Sequence, residues 1–267
     1  MTLGKDSTKS TTRKGRPSKG SLHSVLTDHG WAEDRAQAER IIRAGLVRVN
    51  DELVDKPGTQ VRSDARVEVL RKKHGFVSRG GLKLEAALEA FSFTVEGLRC
   101  LDVGIGTGGF TDCLLQRGAS HVTGVDVGYG DVAWRLRQDP RVVLFERSNF
   151  RAMDVQSLNP PFDLVVVDCS FISLELLMAN LALCVANEGF LLTLIKPQFE
   201  VGPGLVGKGG IVRDSALHAA VTARIATWLE RQMGWQVLGI ADSPVTGADG
   251  NREFLVAARR PAESAGA

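Results

Sequence analysis

The sequence predicts an α/β protein in which a doubly wound, mostly parallel sheet of seven strands follows a small α+β unit. From about residue 98 onward, near-continuous apolar runs such as "FDLVVVD" and "GFLLTLI" alternate with helical segments. Strands of a parallel sheet are buried on both faces and show this pattern. Before residue 70 the pattern differs, with two short helical segments followed by short alternating strands. A chain of 267 residues is long enough for both units.

These patterns divide the chain into five segments. Residues 1–20 are basic, lack apolar periodicity and are expected to form a disordered arm. Residues 21–68 form the small unit and 69–77 a polar link. Residues 78–260 carry the large sheet, and 261–267 are expected to be a flexible tail.

The small unit has recognisable boundaries. "SLHSVLTDHG" predicts a helix that ends at Gly30, and "AEDRAQAERIIRAG" predicts a second helix that stops at Gly45. "LVRVNDELV" alternates on either side of Asn50-Asp51, which is typical of a short hairpin.

Composition excludes several classes of protein. Hydrophobic residues make up 43% of the chain, yet no apolar run approaches the roughly 18 residues of a membrane span. The first twenty residues show no apolar core of a secretory signal. Four scattered cysteines without a CxxC pair favour reduced thiols over disulfides or zinc. We therefore expect a cytoplasmic protein without a metal, and a monomer.

Charge is unevenly distributed, although the net value is only +2. Residues 1–20 carry +5, residues 21–73 carry +1, and the remainder carries −4. A basic arm before a near-neutral body is common in nucleic-acid-binding proteins, whereas a merely solubilising tail is the alternative. Candidate phosphate-binding residues lie on the second helix, after it and around the link: Arg35, Arg40, Arg43, Arg48, Lys72, Lys73 and Arg79. Interleaved acids leave open that the helical arginines only form a solvated face.

A glycine-rich turn lies between the first strand of the sheet and the next helix. In "LDVGIGTGGFTD" Gly104, Gly106 and Gly109 match GxGxxG, and such a turn lets a nucleotide approach the backbone at a helix N-terminus. Gly108 and Phe110 belong to the same candidate site. Asp102 would repel a pyrophosphate, which disfavours NAD and suits a cationic cofactor such as S-adenosylmethionine.

Polar residues after the next strands extend the candidate cofactor site. Asp126 ends the second strand, where a carboxylate can accept hydrogen bonds from ribose hydroxyls. Asn149 and Phe150 follow the third strand and are candidates to read and cover an adenine. The alternatives are a turn residue for Asp126, and a loop amide and a core ring for the other two.

Charged residues also follow the fourth and fifth strands. Asp168 and Lys196 come directly after buried runs and should emerge at the same edge of the sheet as the cofactor site. Glu253 starts the last strand. Lys83 lies near the middle of an apolar helical arc in "FVSRGGLKLEAALEAF". The four could form a site that tunes a base for an alcohol, or a structural salt-bridge cluster.

Together these stretches resemble the haemolysin/cytotoxin TlyA family of ribosomal-RNA methyltransferases, relatives of the FtsJ/RrmJ 2′-O-methyltransferases. The resemblance covers about residues 21–258 and is carried by "VSRGGLKLEAAL", "LDVGIGTGGFTD", "VDVGYGDVAWRLRQDPRVV", "DCSFISL", "IKPQFEVGPGLVGKGGIVRD" and "TGADGNREFLV". It implies a Rossmann-like methyltransferase fold, S-adenosylmethionine as cofactor, and rRNA within ribosomal subunits as partner. The small unit resembles the alpha-L RNA-binding domain of ribosomal protein S-four.

The resemblance also implies a catalytic tetrad of Lys83, Asp168, Lys196 and Glu253. In the family reaction a methyl group is transferred to a ribose 2′-OH. Lys196 is implied to activate the hydroxyl and Asp168 to orient Lys196. Lys83 and Glu253 are implied to balance charge and to position the ribose.

Three other functions compete with this interpretation. A membrane-lytic toxin requires an inserting segment, which the sequence does not display. A non-catalytic RNA assembly factor should have a broken tetrad, but all four positions are occupied. An NAD-linked dehydrogenase is disfavoured by Asp102 and by the paired lysines.

Overall fold

The computed structural model describes residues 19–32, 34–43, 46–69, 75–247 and 250–262. The chain separates into two compact units, Met1–Lys73 and His74–Ala267. Lys72, Lys73, Gly45 and most of the basic arm lie outside the described residues, as does most of the predicted tail.

The first unit combines two helices with short strands. Its elements are β1 (Lys19–Ser21), α1 (Leu22–Asp28), α2 (Arg35–Arg43), β2 (Val47–Val49), β3 (Glu52–Leu53), β4 (Gln60–Arg62) and β5 (Val67–Val69). Strand β1 pairs with β4, and β2 lies between β3 and β5, all antiparallel. Leu22 and Leu26 of α1 pack with Ala38 and Ile42 of α2 in a small core. The α+β architecture is as predicted.

The predicted hairpin turns at Asn50-Asp51. Both residues have positive φ, 50° and 67°, which is the conformation that two-residue hairpins favour. The Asn50 side chain accepts a hydrogen bond from the backbone N–H of Arg66 at 3.0 Å. The turn is therefore held to the residue preceding β5.

The second unit is a seven-stranded sheet with helices on both faces. Its elements are α3 (Gly80–Ala90), β6 (Arg99–Val103), α4 (Gly109–Gln116), β7 (His121–Val125), α5 (Trp134–Arg137), β8 (Val142–Phe145), β9 (Phe162–Val167), α6 (Met178–Cys184), β10 (Val185–Ile195), α7 (Pro197–Glu200), α8 (Ser215–Arg231), β11 (Gln236–Asp242) and β12 (Phe254–Arg259). The strand order is β11-β12-β10-β9-β6-β7-β8. Strand β12 runs antiparallel to both neighbours, and β10, β9, β6, β7 and β8 are parallel. The predicted fold class is confirmed.

Alternation along the buried strands divides the core into two layers. In β9, Val165 and Val167 face the layer that contains α6 and α8, whereas Leu164 and Val166 face the layer that contains α3 and α4. Because both sides are apolar, the strands read as continuous hydrophobic runs. Charged side chains therefore find room mainly near the strand ends.

Two segment boundaries differ from the sequence-based expectation. Lys19 and Gly20, assigned to the arm, already pair in β1. Phe76, assigned to the link, is buried in the core beside Gly81. The next residue, Val77, donates its backbone N–H to Asp112 Oδ2 at 2.7 Å. Neither contact could be expected from the local sequence, which is polar in both segments, because the partners are distant in sequence.

Candidate active site

A cavity of about 580 Å³ lies at the carboxyl edge of the parallel strands. Its wall is formed by the start of α3, the glycine-rich turn before α4, and the loops that follow β9, β10 and β11. All four tetrad residues lie in this wall: Lys83, Asp168, Lys196 and Glu253. The structure thus brings together side chains that are up to 170 positions apart in sequence.

The four side chains form an alternating chain of charges. Lys83 Nζ donates to Glu253 Oε2 at 2.5 Å and lies 3.8 Å from Asp168 Oδ2. Lys196 Nζ lies 2.6 Å from the other oxygen of Asp168. Two ammonium groups and two carboxylates therefore balance one another. Each ammonium group is therefore in direct contact with a carboxylate.

The charges are buried. Lys83, Lys196 and Glu253 expose 8%, 7% and 3% of their surface, and Asp168 is more open to the cavity. Helix α3 buries Leu84 as well as Lys83, so the ammonium group lies on the apolar face, as the sequence indicated. Buried charges are costly unless they are paired, and here each has a partner of opposite sign.

Two glycines allow the backbone to close tightly around the tetrad. A Cβ on Gly104, whose φ is +86°, would lie 2.8 Å from the carbonyl oxygen of Asp168. A Cβ on Gly109 would overlap Ser78 Oγ and approach the backbone of Gly81. Gly104 thus brings the ends of β6 and β9 together, and Gly109 brings α4 against the start of the helix that carries Lys83.

The remaining predicted cofactor residues on the turn have different positions. Gly106 and Phe110 line the cavity, whereas Gly108 faces Leu136. Asp126 lies just behind the turn and accepts the backbone N–H of Gly106 at 2.8 Å. Its other oxygen accepts the N–H of Gly128 at 2.7 Å. Each carboxylate oxygen retains a further lone pair, so Asp126 can still accept from a ligand hydroxyl.

Asp102 is not placed to contact a ligand, contrary to the sequence-based expectation. Its side chain is fully buried, and Oδ2 accepts from the backbone N–H of Thr111 at 3.0 Å and from Thr111 Oγ1 at 2.7 Å. Burial raises the pKa of this carboxyl to about 7, and the Thr111 hydroxyl opposes the increase. Asp102 therefore supports the first turn of α4 from below.

Asn149 and Phe150 are also absent from the cavity wall. Phe150 is 4% exposed and packs in the core, so its ring is not placed to cover an adenine. Asn149 is exposed, and its side-chain oxygen accepts the backbone N–H of Arg151 at 3.1 Å. The alternatives of a core ring and a loop amide fit the structure.

Other residues of the site were not singled out from the sequence. Ser170 Oγ accepts a hydrogen bond from Lys196 Nζ at 3.0 Å. Phe171 is 90% exposed, has a φ of +64°, and packs its ring near that of Phe199 on the cavity wall. The only sequence signal was their position in "DCSF", directly after Asp168.

Glu200 links the loop after β9 to the helix after β10. Its carboxylate accepts from the backbone N–H of Leu174 and from Ser173 Oγ, each at 2.8 Å. Arg224 of α8 donates to the same carboxylate at 2.9 Å. This buried acid thereby holds the segment after Asp168 close to the one after Lys196.

The predicted RNA-binding residues fall into separate groups. Arg35, Arg40, Arg43 and Arg48 are all exposed on the first unit. Arg35 and Arg43 pair with Glu39 at 2.8 Å and 3.4 Å. Arg79 belongs to the second unit, where it is exposed and lines the cavity.

The described ranges contain neither a metal-binding cluster nor a membrane-spanning helix. No cluster of three or more His, Cys, Asp or Glu residues suited to a metal ion occurs within them. None of the helices described is both long enough and apolar enough to cross a membrane.

Comparison with known proteins agrees with this geometry. Residues 76–260 match the model of the FtsJ-like methyltransferases, and residues 22–67 match the S4 domain. The chain is 44% identical over 86% of its length to "16S/23S rRNA (cytidine-2'-O)-methyltransferase TlyA" of Mycobacterium tuberculosis, of which it also covers 86%. It is 38% identical over 88% of its length to "Hemolysin A" of Brachyspira hyodysenteriae, of which it covers 97%.

A solved structure shows the same architecture. A Streptococcus thermophilus protein described as a candidate hemolysin superposes with a TM-score of 0.71 at 40% identity. The match covers 92% of this chain and 90% of that one. On its sequence, fold and assembled tetrad, the chain belongs to the FtsJ-like methyltransferase family and, within it, to the TlyA proteins.

Proposed function

We propose that the protein transfers a methyl group from S-adenosylmethionine to a ribose 2′-OH of ribosomal RNA. The observation that carries the proposal is the buried chain of Glu253, Lys83, Asp168 and Lys196 beside a glycine-rich turn in one cavity. The M. tuberculosis relative is named for this reaction on 16S and 23S rRNA.

The cavity fits the proposed cofactor. Gly104 and Gly106 have no side chain, so a ligand can approach their backbone at the cavity wall. A Cβ at Gly104 would disturb the turn. Asp126, behind Gly106, is the candidate to bind ribose hydroxyls. When bound, S-adenosylmethionine supplies an electrophilic methyl group on a sulfonium sulfur.

Lys196 and Asp168 are the proposed groups that act on the hydroxyl. A ribose hydroxyl is a weak nucleophile, so it gains from a neighbour that stabilises negative charge on its oxygen. Lys196 Nζ is held by Asp168 and Ser170, which leaves a further donor position for the hydroxyl oxygen. Asp168 is open to the cavity, so its carboxylate can accept the proton that the hydroxyl loses when its oxygen takes the methyl group.

Lys83 and Glu253 are proposed to position the first pair. Lys83 lies between Glu253 and Asp168, so it balances the negative charge that Asp168 would otherwise carry unopposed on that side. Positioning and electrostatic stabilisation need no redox chemistry and can account for a large part of a catalytic effect.

The RNA is proposed to contact both units. The exposed arginines of the S4 domain can bind phosphates without reading bases. Arg79 lies at the cavity itself, and the exposed ring of Phe171 offers a stacking surface for an unpaired base. We propose that the protein acts in the cytoplasm as a monomer on rRNA within ribosomal subunits.

The test is transfer of labelled methyl from S-adenosylmethionine to rRNA in intact subunits, with the products mapped by mass spectrometry. We expect 2′-O-methylated nucleotides that depend on the protein. Methyl groups found only on bases, or no transfer to either subunit, would refute the proposal.

The hemolysin names of relatives motivate a second arm of the same experiment. Purified protein is incubated with red cells beside a heat-denatured sample. The proposed function predicts no lysis above the denatured control. Lysis combined with absent methyl transfer would favour the toxin interpretation.

A further inference from the structure

We infer that Asn251 is a positioning residue for the reaction, which acts by holding two cavity walls around Glu253; the inference rests on the proposed function. Asn251 lies two residues before Glu253 and exposes only 2% of its surface. A buried amide must satisfy its donors and acceptors within the protein. Those partners lie in the loops that enclose the tetrad.

The first wall is the segment that leads into α8. Asn251 Oδ1 accepts the backbone N–H of Val212 at 3.1 Å, and Nδ2 donates to the carbonyl of Gly210 at 2.9 Å. Gly210 and Val206 line the cavity. The side chain of Asn251 thus gives this loop two hydrogen bonds to a distant segment of the chain.

His218 reinforces the same wall from α8. Its Nε2 lies 2.9 Å from the carbonyl oxygen of Val212, so this nitrogen carries the proton and donates. Val212 is therefore held from two sides. Its carbonyl accepts from His218, and its N–H donates to Asn251.

The second wall is the loop between β11 and β12. Gly247 donates its backbone N–H to the carbonyl of Asn251 at 2.8 Å. Gly247 is in contact with the Glu253 carboxylate, because a Cβ on this glycine would overlap Oε1. Asn251 therefore fixes the residue that packs on Glu253 as well as the wall across the cavity.

The consequence concerns the geometry of the Glu253–Lys83 pair. Glu253 directly precedes β12, and its backbone carbonyl accepts the N–H of Ser243 at 3.0 Å. If the amide of Asn251 is removed, the segment that leads into α8 loses its tie next to Glu253, whereas the backbone hydrogen bond from Gly247 remains. The carboxylate then shifts relative to Lys83, and Lys83 shifts relative to Asp168. We expect a loss of turnover at saturating substrates with little change in cofactor affinity.

The experiment measures kcat, KM for rRNA and the dissociation constant for S-adenosylmethionine in the full-length protein. Asn251→Ala should lower kcat by about 10- to 100-fold, while the cofactor dissociation constant changes less than about two-fold. Ser120→Ala is the control, since Ser120 Oγ also ties a loop to a backbone carbonyl, that of Leu98, but at the opposite edge of the sheet. It should leave kcat unchanged.

A double-mutant cycle separates positioning from general support of the fold. If Asn251 acts through Glu253, Asn251→Ala combined with Glu253→Gln should lose no more activity than Glu253→Gln alone. Losses that multiply, or an Asn251→Ala protein with wild-type kcat, would overturn the inference. Absent transfer by the wild-type protein would instead refute the proposed function.

A second substitution covers the case in which Asn251→Ala does not fold. Asn251→Ser adds no charge beside Glu253, and its short hydroxyl side chain cannot reach both Val212 and Gly210 as the longer amide does. It should fold and show a reduction in kcat in the same direction. A folded Asn251→Ser protein with wild-type kcat would also overturn the inference.

Discussion

The positively charged residues of the two candidate sites, one in each unit, are paired in opposite ways. In the S4 domain, Arg35 and Arg43 pair with Glu39 while 73% and 69% of their side chains remain exposed. In the methyltransferase domain, Lys83 and Lys196 pair with carboxylates while only 10% and 8% are exposed. Exposed pairs contribute little to stability and are screened by salt. Buried pairs hold their geometry, because an unpaired charge there is costly.

This difference indicates which charges can exchange partners. An exposed arginine can exchange Glu39 for a phosphate at a small cost in free energy. If one arginine is removed, neighbouring arginines can still contact the phosphates. A buried lysine cannot move without leaving its carboxylate partner buried and unpaired. Substitutions in the first unit should therefore have graded, salt-dependent effects, and substitutions in the tetrad should have large, local ones.

The largest expected effect follows from removal of a buried lysine. Lys196→Ala and Lys83→Ala should each reduce methyl transfer by about 10²- to 10⁴-fold, because an ammonium group beside the reacting oxygen or its partner is lost. Labelled methyl incorporation into rRNA measures the loss, and calorimetry with S-adenosylmethionine checks that cofactor binding persists. Near wild-type transfer by either variant would contradict its catalytic role.

The next effect concerns Asp102 and pH. Because the pKa of Asp102 is raised to about 7 in the folded protein, its contribution to stability is complete below about pH 4 and is lost as pH rises towards 7. The free energy of unfolding of the wild type relative to Asp102→Asn should therefore fall between pH 4 and pH 8 by roughly 2–4 kcal/mol. Urea unfolding at several pH values measures this difference, and a pH-independent difference would contradict it.

Smaller effects are expected from exposed arginines. Arg40 and Arg48 are exposed, and no carboxylate among the described residues is recorded within ion-pair distance of either. Arg40→Ala or Arg48→Ala should weaken RNA binding by about 3- to 10-fold and reduce the salt slope by about one. Binding to rRNA fragments at several salt concentrations provides the measurement. An unchanged salt slope would place these residues outside the RNA interface.

The smallest effect is expected from Glu39→Gln. The substitution releases Arg35 and Arg43 from their carboxylate partner, so RNA affinity should rise by less than about three-fold. The same binding assay applies, with the unfolding temperature as a check of the fold. A large loss of affinity would show that Glu39 orients the arginines for RNA and does not merely compete with it.

The fold and the strand-end members of the tetrad were predictable for a physical reason. Strands buried on both faces must be apolar throughout, so Asp168 and Lys196 stood out where such runs end. Lys83 stood out because it interrupts an apolar helical face. The two strand-end signals are local in sequence and still imply a common edge of the sheet, whereas the family resemblance grouped Lys83 and Glu253 with them.

The contacts behind the tetrad were not predictable in this way. Asp102 lies near the end of β6 and Phe150 lies in the loop after β8, close to the edge that carries the cavity, yet both side chains are buried. Asn251 and Glu200 resemble ordinary loop residues in the sequence, because their partners lie 24 to 41 positions away. Strand position indicates which edge a residue reaches, whereas the direction of its side chain depends on packing by distant segments.

Strand β12 carries the member of the tetrad that comes last in the chain. Because β12 runs antiparallel to its neighbours, its start reaches the edge where the parallel strands end, and Glu253 lies there. Strand β12 is also inserted between β10 and β11, both of which precede it in the chain. The Lys83–Glu253 pair therefore requires that β12 is in place, whereas the residues of the Lys196–Asp168 pair follow β10 and β9, which come earlier in the chain.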